Sequence, residues 1–198
     1  MSTDTLTTLF ALLAVACAVA TVVSVVVLAA GYRSVPGSVL HNLRTALGDL
    51  SLWLGWLVAI VTTFGSLYYS VIADYRPCEL CWYQRICMYP LSAILLVGAL
   101  RRDRKVWMYA GIPAVVGVVI ASYHTQLQAF PKQRTFCDPE NPCTNRFVWE
   151  FGFISLPLMD LIAFCFIITM LVASAVTSPS SGSTDDVEAD EPQGVESP

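Results

Sequence analysis

A chain of 198 residues that is 56% hydrophobic and 13% charged is not built like a soluble domain, where about a quarter of residues carry charge. Its net charge is −4 and it has no basic stripe of the kind that binds nucleic acid, which argues against that class of partner. The apolar residues fall in five long blocks, 6–30, 50–72, 80–100, 106–125 and 151–176. About 20 apolar residues in a helix cross a bilayer core, and lipid offers backbone groups no outside partner. The expected fold is therefore an all-α integral membrane bundle with short loops and a tail.

The first block is too long for the apolar stretch of a signal peptide, about 7–15 residues, and no Lys or Arg precedes it. Ala14-Val15-Ala16 before Cys17 is a poor lipoprotein cleavage box, so a retained helix is predicted. Residues 1–49 are then an extra N-terminal helix and its connector. Val39, Leu43, Leu47 and Leu50 recur in that connector at helical spacing. They predict an extension of the second helix, or a short helix lying at the interface.

The chain reads Arg101, Arg102, Asp103, Arg104, Lys105 between the third and fourth blocks, its densest basic cluster. Cytoplasmic loops collect Lys and Arg, so this hairpin is set inside. Alternation then puts the N-terminus outside, 31–49 inside, 73–79 and 126–150 outside, and the tail inside. The expected location is the plasma membrane, with several passes. Trp53, Trp56, Trp82, Trp107 and Trp149, with Tyr32, Tyr68, Tyr69 and Tyr109, lie mostly near block ends and read as interfacial anchors.

Four of seven cysteines fall on the predicted outer side. Cys78 and Cys81 form a C-x-x-C where the third helix begins, within Pro77-Cys78-Glu79-Leu80-Cys81-Trp82-Tyr83-Gln84-Arg85. Pro77 suits a first helical position. The positive end of a helix raises the thiolate fraction of cysteines on its first turn, while Glu79 opposes this. Arg85 lies four residues after Cys81 and seven after Cys78, which puts the three on one face. Its charge would stabilise a thiolate and attract a partly reduced, anionic acceptor. Cys137 and Cys143 form a second pair in the long outer loop, with Pro139 and Pro142 between them. The neighbouring acids disfavour a thiolate there, so the pair reads as an exchange disulfide, with a static loop staple as the alternative. Two outward pairs fit an oxidising compartment.

The remaining polar positions are fewer. His124 closes the fourth block, as a hydrogen-bonded cap or beside a cofactor. Asp160 falls about ten residues into the fifth block, where a hydrogen bond inside the bundle is the simplest account. Cys17, Cys87 and Cys165 lie within spans and read as small hydrophobes. Six acids and no base between Asp185 and Glu196, after a Ser-rich stretch, make 177–198 a disordered acidic tail.

At these residues the chain resembles the DsbB/BdbC family of disulfide bond formation proteins. PCELCWYQR matches the family's C-x-x-C followed by Gln-Arg. SYHTQLQ, containing His124, is similar to the end of the third family helix. CTNRFVWEFGFISLP, from Cys143 to Pro157, is similar to the join between the second cysteine loop and the last helix. The resemblance covers 50–176 and implies a four-helix transmembrane bundle, to which 1–49 adds a helix. It implies a quinone-dependent thiol:disulfide oxidoreductase, with a ubiquinone- or menaquinone-type quinone as cofactor and an extracytoplasmic thioredoxin-like (DsbA-like) protein as partner. In that scheme Cys78 and Cys81 are the quinone-proximal pair, with Cys81 facing the quinone. Arg85 supports quinone and thiolate, His124 lies near the quinone, Cys137 is attacked by the partner, and Cys143 pairs transiently with Cys78. Trp82 or Tyr83 is a further candidate for ring contact. The loop between the second pair is shorter than in proteobacterial members.

Three rival readings compete with that scheme. A vitamin K epoxide reductase-like enzyme places its loop cysteines before the C-x-x-C, whereas here they follow it. Four cysteines can build a zinc site, but an oxidising side disfavours four free thiolates. A non-enzymatic membrane protein with structural disulfides leaves Arg85 unexplained.

Overall fold

The computed structural model describes residues 3–133 and 135–177. It is all helical: α1 Thr3–Tyr32, α2 Val39–Val71, α3 Glu79–Arg101, a 3-10 turn Arg104–Val106, α4 Trp107–Ala129 and α5 Leu156–Val176. Each of the five long helices is long and apolar enough to span a membrane. Among the described residues the only β pairing is an isolated bridge between Glu150 and Ile154. Apart from Thr177, the acidic tail expected over 177–198 lies outside the described residues.

Helices α2 to α5 form the bundle, with α2 on α3 and α5, and α4 on α3 and α5; α1 packs from outside against α2 and α5. Lipid is as apolar as leucine, so the helices associate through close packing of small residues. Ala110, Ala114, Gly117 and Ala121 make such a stripe on α4, and Gly48, Ser51, Gly55 and Ala59 make one on α2. Gly117 is required where it stands, because a Cβ there would fall inside the Phe164 ring's contact distance. That fully buried ring is the centre of the main core, with Leu91, Leu95 and Ile167 around it. Helix α1 turns Thr7, Ala11 and Ala14 inward and leaves Val19, Val22 and Val26 exposed, as a lipid-facing surface requires.

The connector resolves in favour of the extension: α2 runs unbroken from Val39, capped by the Ser38 hydroxyl, which accepts from the His41 N–H at 3.2 Å. The fifth helix begins later than its apolar block. Residues 151–154 form a turn in which Phe151 and Gly152 take positive φ, and α5 starts at Leu156. Asp160 is therefore the fifth residue of the helix, near its N-terminal end.

Alternating helices give the bundle two chemically different ends. At one end Arg104 pairs with Asp49 at 2.5 Å, and Arg44 donates to the Val176 carbonyl at 2.9 Å. Asp103 accepts from the Lys105 N–H and the Tyr109 hydroxyl there. The basic hairpin thus sits at the end of α3 opposite Cys78.

Candidate functional site

The other end is organised by the start of α3. Cys78 is the N-cap of this helix, and its Sγ accepts from the Cys81 N–H at 3.4 Å. Pro77 consequently stands just before the cap and not at the first helical position. Its carbonyl is used instead, accepting from the Asn141 side chain at 3.0 Å, which ties the second cysteine loop to the first. Cys137 and Cys143 are joined as a disulfide, with Cα atoms 6.0 Å apart. Cys78, Cys137 and Cys143 are all buried and share one apolar cluster with Leu80 and Leu127; Cys81 and Tyr123 pack on its edge.

His124 sits between the two pairs. Its Nε2 lies 3.1 Å from the Cys143 carbonyl oxygen and 3.7 Å from Cys78 Sγ. A carbonyl only accepts, so Nε2 carries the proton and is shared between oxygen and sulfur. The Gln84 amide faces Nδ1 at 3.4 Å and fixes this tautomer. The ring is 1% exposed. It does not line the pocket described below; its nearest polar partners are Cys78, Cys143 and Gln84.

The Cys78 and Cys81 sulfurs are 2.8 Å apart and not bonded to each other. The hydrogen bond from Cys81 holds the Cys78 thiol well below the usual thiol range; burial opposes this, and His124 adds to the lowering. That lowering favours the thiolate form of Cys78. Cys78 Sγ, Cys81 Sγ and His124 also lie within 4.8 Å of one another, as metal ligands would. Two sulfurs on one tetrahedral zinc stand about 3.8 Å apart, given a Zn–S distance near 2.3 Å, and this pair is closer. A four-thiolate zinc site is not assembled, because Cys137 and Cys143 are bonded to each other.

A pocket of about 130 Å³ opens beside Cys81. Cys81, Gln84 and Arg85 enter it from α3, and Leu156, Met159 and Asp160 from α5, each set at helical i, i+3, i+4 spacing. Gly65, Ser66 and Tyr69 of α2 and Phe10 and Leu13 of α1 complete much of the wall. Arg85 is held rigidly: Nε donates to the Ser66 hydroxyl at 2.9 Å and Nη2 to the Ser66 carbonyl at 3.0 Å. Its guanidinium also lies 5.3 Å from the Trp82 ring centroid. The α3 face therefore divides. Cys81 and Arg85 look into the pocket, whereas Cys78 looks toward His124 and the loop disulfide. Trp82 and Tyr83 are exposed and line no part of the pocket.

Further contacts hold the second loop. Arg146 donates to the Gln128 carbonyl at the end of α4 and stacks on Trp149, 3.9 Å from its centroid. Phe147 stacks on Tyr75 at 5.2 Å, and Tyr75 on Tyr69 at 5.8 Å, which links this loop to α2. Ser66, Asn141, Asp160 and Phe10 carried no motif in the sequence. Gln84 did, as the residue before Arg85. Cys87 is buried in the main core, and Cys17 and Cys165 are half-buried in their helices.

Residues 49–175 match the family described as "Disulfide bond formation protein DsbB". The chain is 41% identical over 128 residues to the "Probable disulfide formation protein C" of Halalkalibacterium halodurans, covering 62% of this chain and 93% of the relative. It is 40% identical over 122 residues to the "Disulfide bond formation protein C" of Bacillus subtilis, covering 61% and 88%. A "Probable disulfide formation protein" of Coxiella burnetii is 39% identical over 120 residues, covering 59% and 82%. No solved structure matches. Helix α1 precedes the matched region in this chain, and its wall of the pocket is an addition to it. The matched segment carries both cysteine pairs, Arg85, His124 and most of the four bundle helices, and on that ground this chain belongs to the DsbB family of thiol-oxidising disulfide bond formation proteins.

Proposed function

We propose that the protein reoxidises an extracytoplasmic thioredoxin-like partner and passes the electrons through its two cysteine pairs to a membrane quinone. The observation that carries this reading is the division of the C-x-x-C. Cys78 is buried with the loop disulfide and Cys81 opens on a pocket with Arg85. One pair thus touches both a protein-facing disulfide and a space for a small acceptor.

The steps follow thiol–disulfide chemistry. A partner thiolate attacks Cys137, the Cys137–Cys143 bond breaks, and the partner's second thiol resolves the mixed disulfide. The partner leaves oxidised and the loop pair is left as two thiols. Cys143 then attacks an oxidised Cys78–Cys81 pair at Cys78, and Cys137 displaces it, which restores the loop disulfide and reduces the C-x-x-C. Two electrons and two protons finally move to quinone, giving quinol and a Cys78–Cys81 disulfide. Arg85 offsets negative charge on the reduced ring, in a fork held by Ser66. His124 stabilises the Cys78 thiolate that forms when Cys143 leaves it.

The basic hairpin at the opposite end supports setting the cysteine end outside the cytoplasm. The test is a pair of variants assayed in two halves. Cys137→Ala should lose electron entry from a reduced thioredoxin-like protein while still binding quinone, and Cys81→Ala should lose quinone reduction. Full activity of Cys137→Ala with the protein donor contradicts the relay.

A further inference from the structure

Asp160 carries a carboxyl on α5, a helix long and apolar enough to span a membrane, where ionisable side chains are costly and often mark function. The sequence suggested a hydrogen bond within the bundle. Among the described residues Asp160 makes none; it lines the pocket together with Cys81, Gln84 and Arg85. It lies beyond the first turn of α5, so capping that helix does not account for it.

The acceptor reaction needs such a group. Reducing a quinone to quinol forms two O–H bonds, so protons must reach the ring oxygens. Arg85 orients and neutralises, but a guanidinium gives up no proton at accessible pH. His124 sits between the two cysteine pairs, outside the pocket lining, with both ring nitrogens already engaged. Tyr69 and Tyr75 line the pocket as part of an aromatic stack.

Resting on the acceptor reading above, we propose that Asp160 is the proton-transfer residue of the quinone site, taking the proton of the Cys81 thiol and delivering it to a quinone oxygen. The step balances. Cys78 thiolate, Cys81 thiol, quinone and one proton from water give the Cys78–Cys81 disulfide and quinol. The S–S bond forms and the Cys81 S–H bond breaks. Two electrons pass from the sulfurs to the ring, and two O–H bonds form. Asp160 ends as it began.

The titratable and charged groups facing this carboxyl are Tyr69, Tyr75, Arg76, Cys81 and Arg85 around the pocket, and His124 behind it; Phe10 and Leu13 of α1 add none. The test compares wild type, Asp160→Asn, Asp160→Glu and Tyr69→Phe as purified full-length proteins in lipid. A reduced thioredoxin-like protein is the donor and a short-chain benzoquinone the acceptor. Loss of a general acid–base group predicts that Asp160→Asn slows quinone reduction about a hundredfold, with quinone KM unchanged. Asp160→Glu should recover a large part of the rate. The pH profile of kcat should lose one limb in Asp160→Asn and keep it in Tyr69→Phe. Single-turnover oxidation of the donor by the loop disulfide should be unaffected, which also reports that the variant is folded. A wild-type rate and pH profile in Asp160→Asn overturns the proposal, as does an equal loss in donor oxidation, which would make the role structural. Transfer of the pH limb to Tyr69→Phe also overturns it. Wild-type protein that oxidises the donor but never reduces quinone overturns the acceptor reading itself, and this proposal with it.

Discussion

Replacing His124 tests how the two pairs communicate. His124→Phe keeps an aromatic ring in a slot that is 1% exposed and removes both nitrogens. Cys78 Sγ then loses the donor at 3.7 Å, and the Cys143 carbonyl loses its partner at 3.1 Å. A hydrogen bond to a charged group contributes about 1.5–3 kcal/mol. At about 1.4 kcal/mol per pKa unit, the thiolate midpoint of Cys78 should rise by about one to two units. The direction follows from the sign of the interaction: His124 favours the charged form, so its loss leaves Cys78 protonated over a wider pH range. The effect stops short of an ordinary thiol, because the larger contribution comes from Cys81. The assay is thiolate ultraviolet absorbance of reduced protein in a Cys137→Ser, Cys143→Ser background, read from about pH 3 to 8, below tyrosine ionisation. A midpoint unmoved by His124→Phe refutes the role given to this ring.

The other expectations concern the pocket and the loop. Arg85→Gln should slow quinone reduction or weaken quinone affinity by about one to two orders of magnitude, with Arg85→Lys recovering only part, because an ammonium does not reproduce the fork on Ser66; steady-state kinetics over a quinone series read this. Phe10→Ala removes a pocket wall that packs over Gly65 and Tyr69 and should raise the quinone KM by about tenfold, the equivalent of about 1.4 kcal/mol of lost apolar contact, with donor oxidation unchanged. An unaltered KM would remove α1 from the acceptor site. Gly117→Val should destabilise the bundle by about 1–3 kcal/mol through overpacking against Phe164, read as a lower midpoint in thermal unfolding in detergent.

Much of this was legible in the sequence because membrane helices announce themselves through uninterrupted apolar length. The five spans follow from pattern alone, and the extension of α2 was one of two readings that the spacing allowed. The late start of α5 does not, because Phe151, Phe153 and Ile154 are as apolar as the helix that follows. The positive φ of Phe151 and Gly152 decides the boundary, and hydropathy is blind to it. Helical spacing put Arg85 on one face with Cys81, and both line the pocket. It put Cys78 there too, but as the N-cap Cys78 lies off the helix and faces His124. Contacts between distant segments left no sequence trace: Ser66 under Arg85, Asn141 on Pro77, and Phe10 across Gly65. Asp160 was visible as an oddity but had no meaning until α5 was seen to turn it toward Cys81.

The relay from partner to quinone is tested most directly by its stoichiometry. Purified protein in lipid is given a reduced thioredoxin-like dithiol protein and a limiting amount of quinone, without oxygen, and the disulfide formed in the donor and the quinol are both quantified. The account predicts one quinol for each donor disulfide, over many turnovers, and no turnover in Cys81→Ala. Donor oxidation that stops after the protein's own cysteine pairs are reduced, with quinone unconsumed, contradicts it.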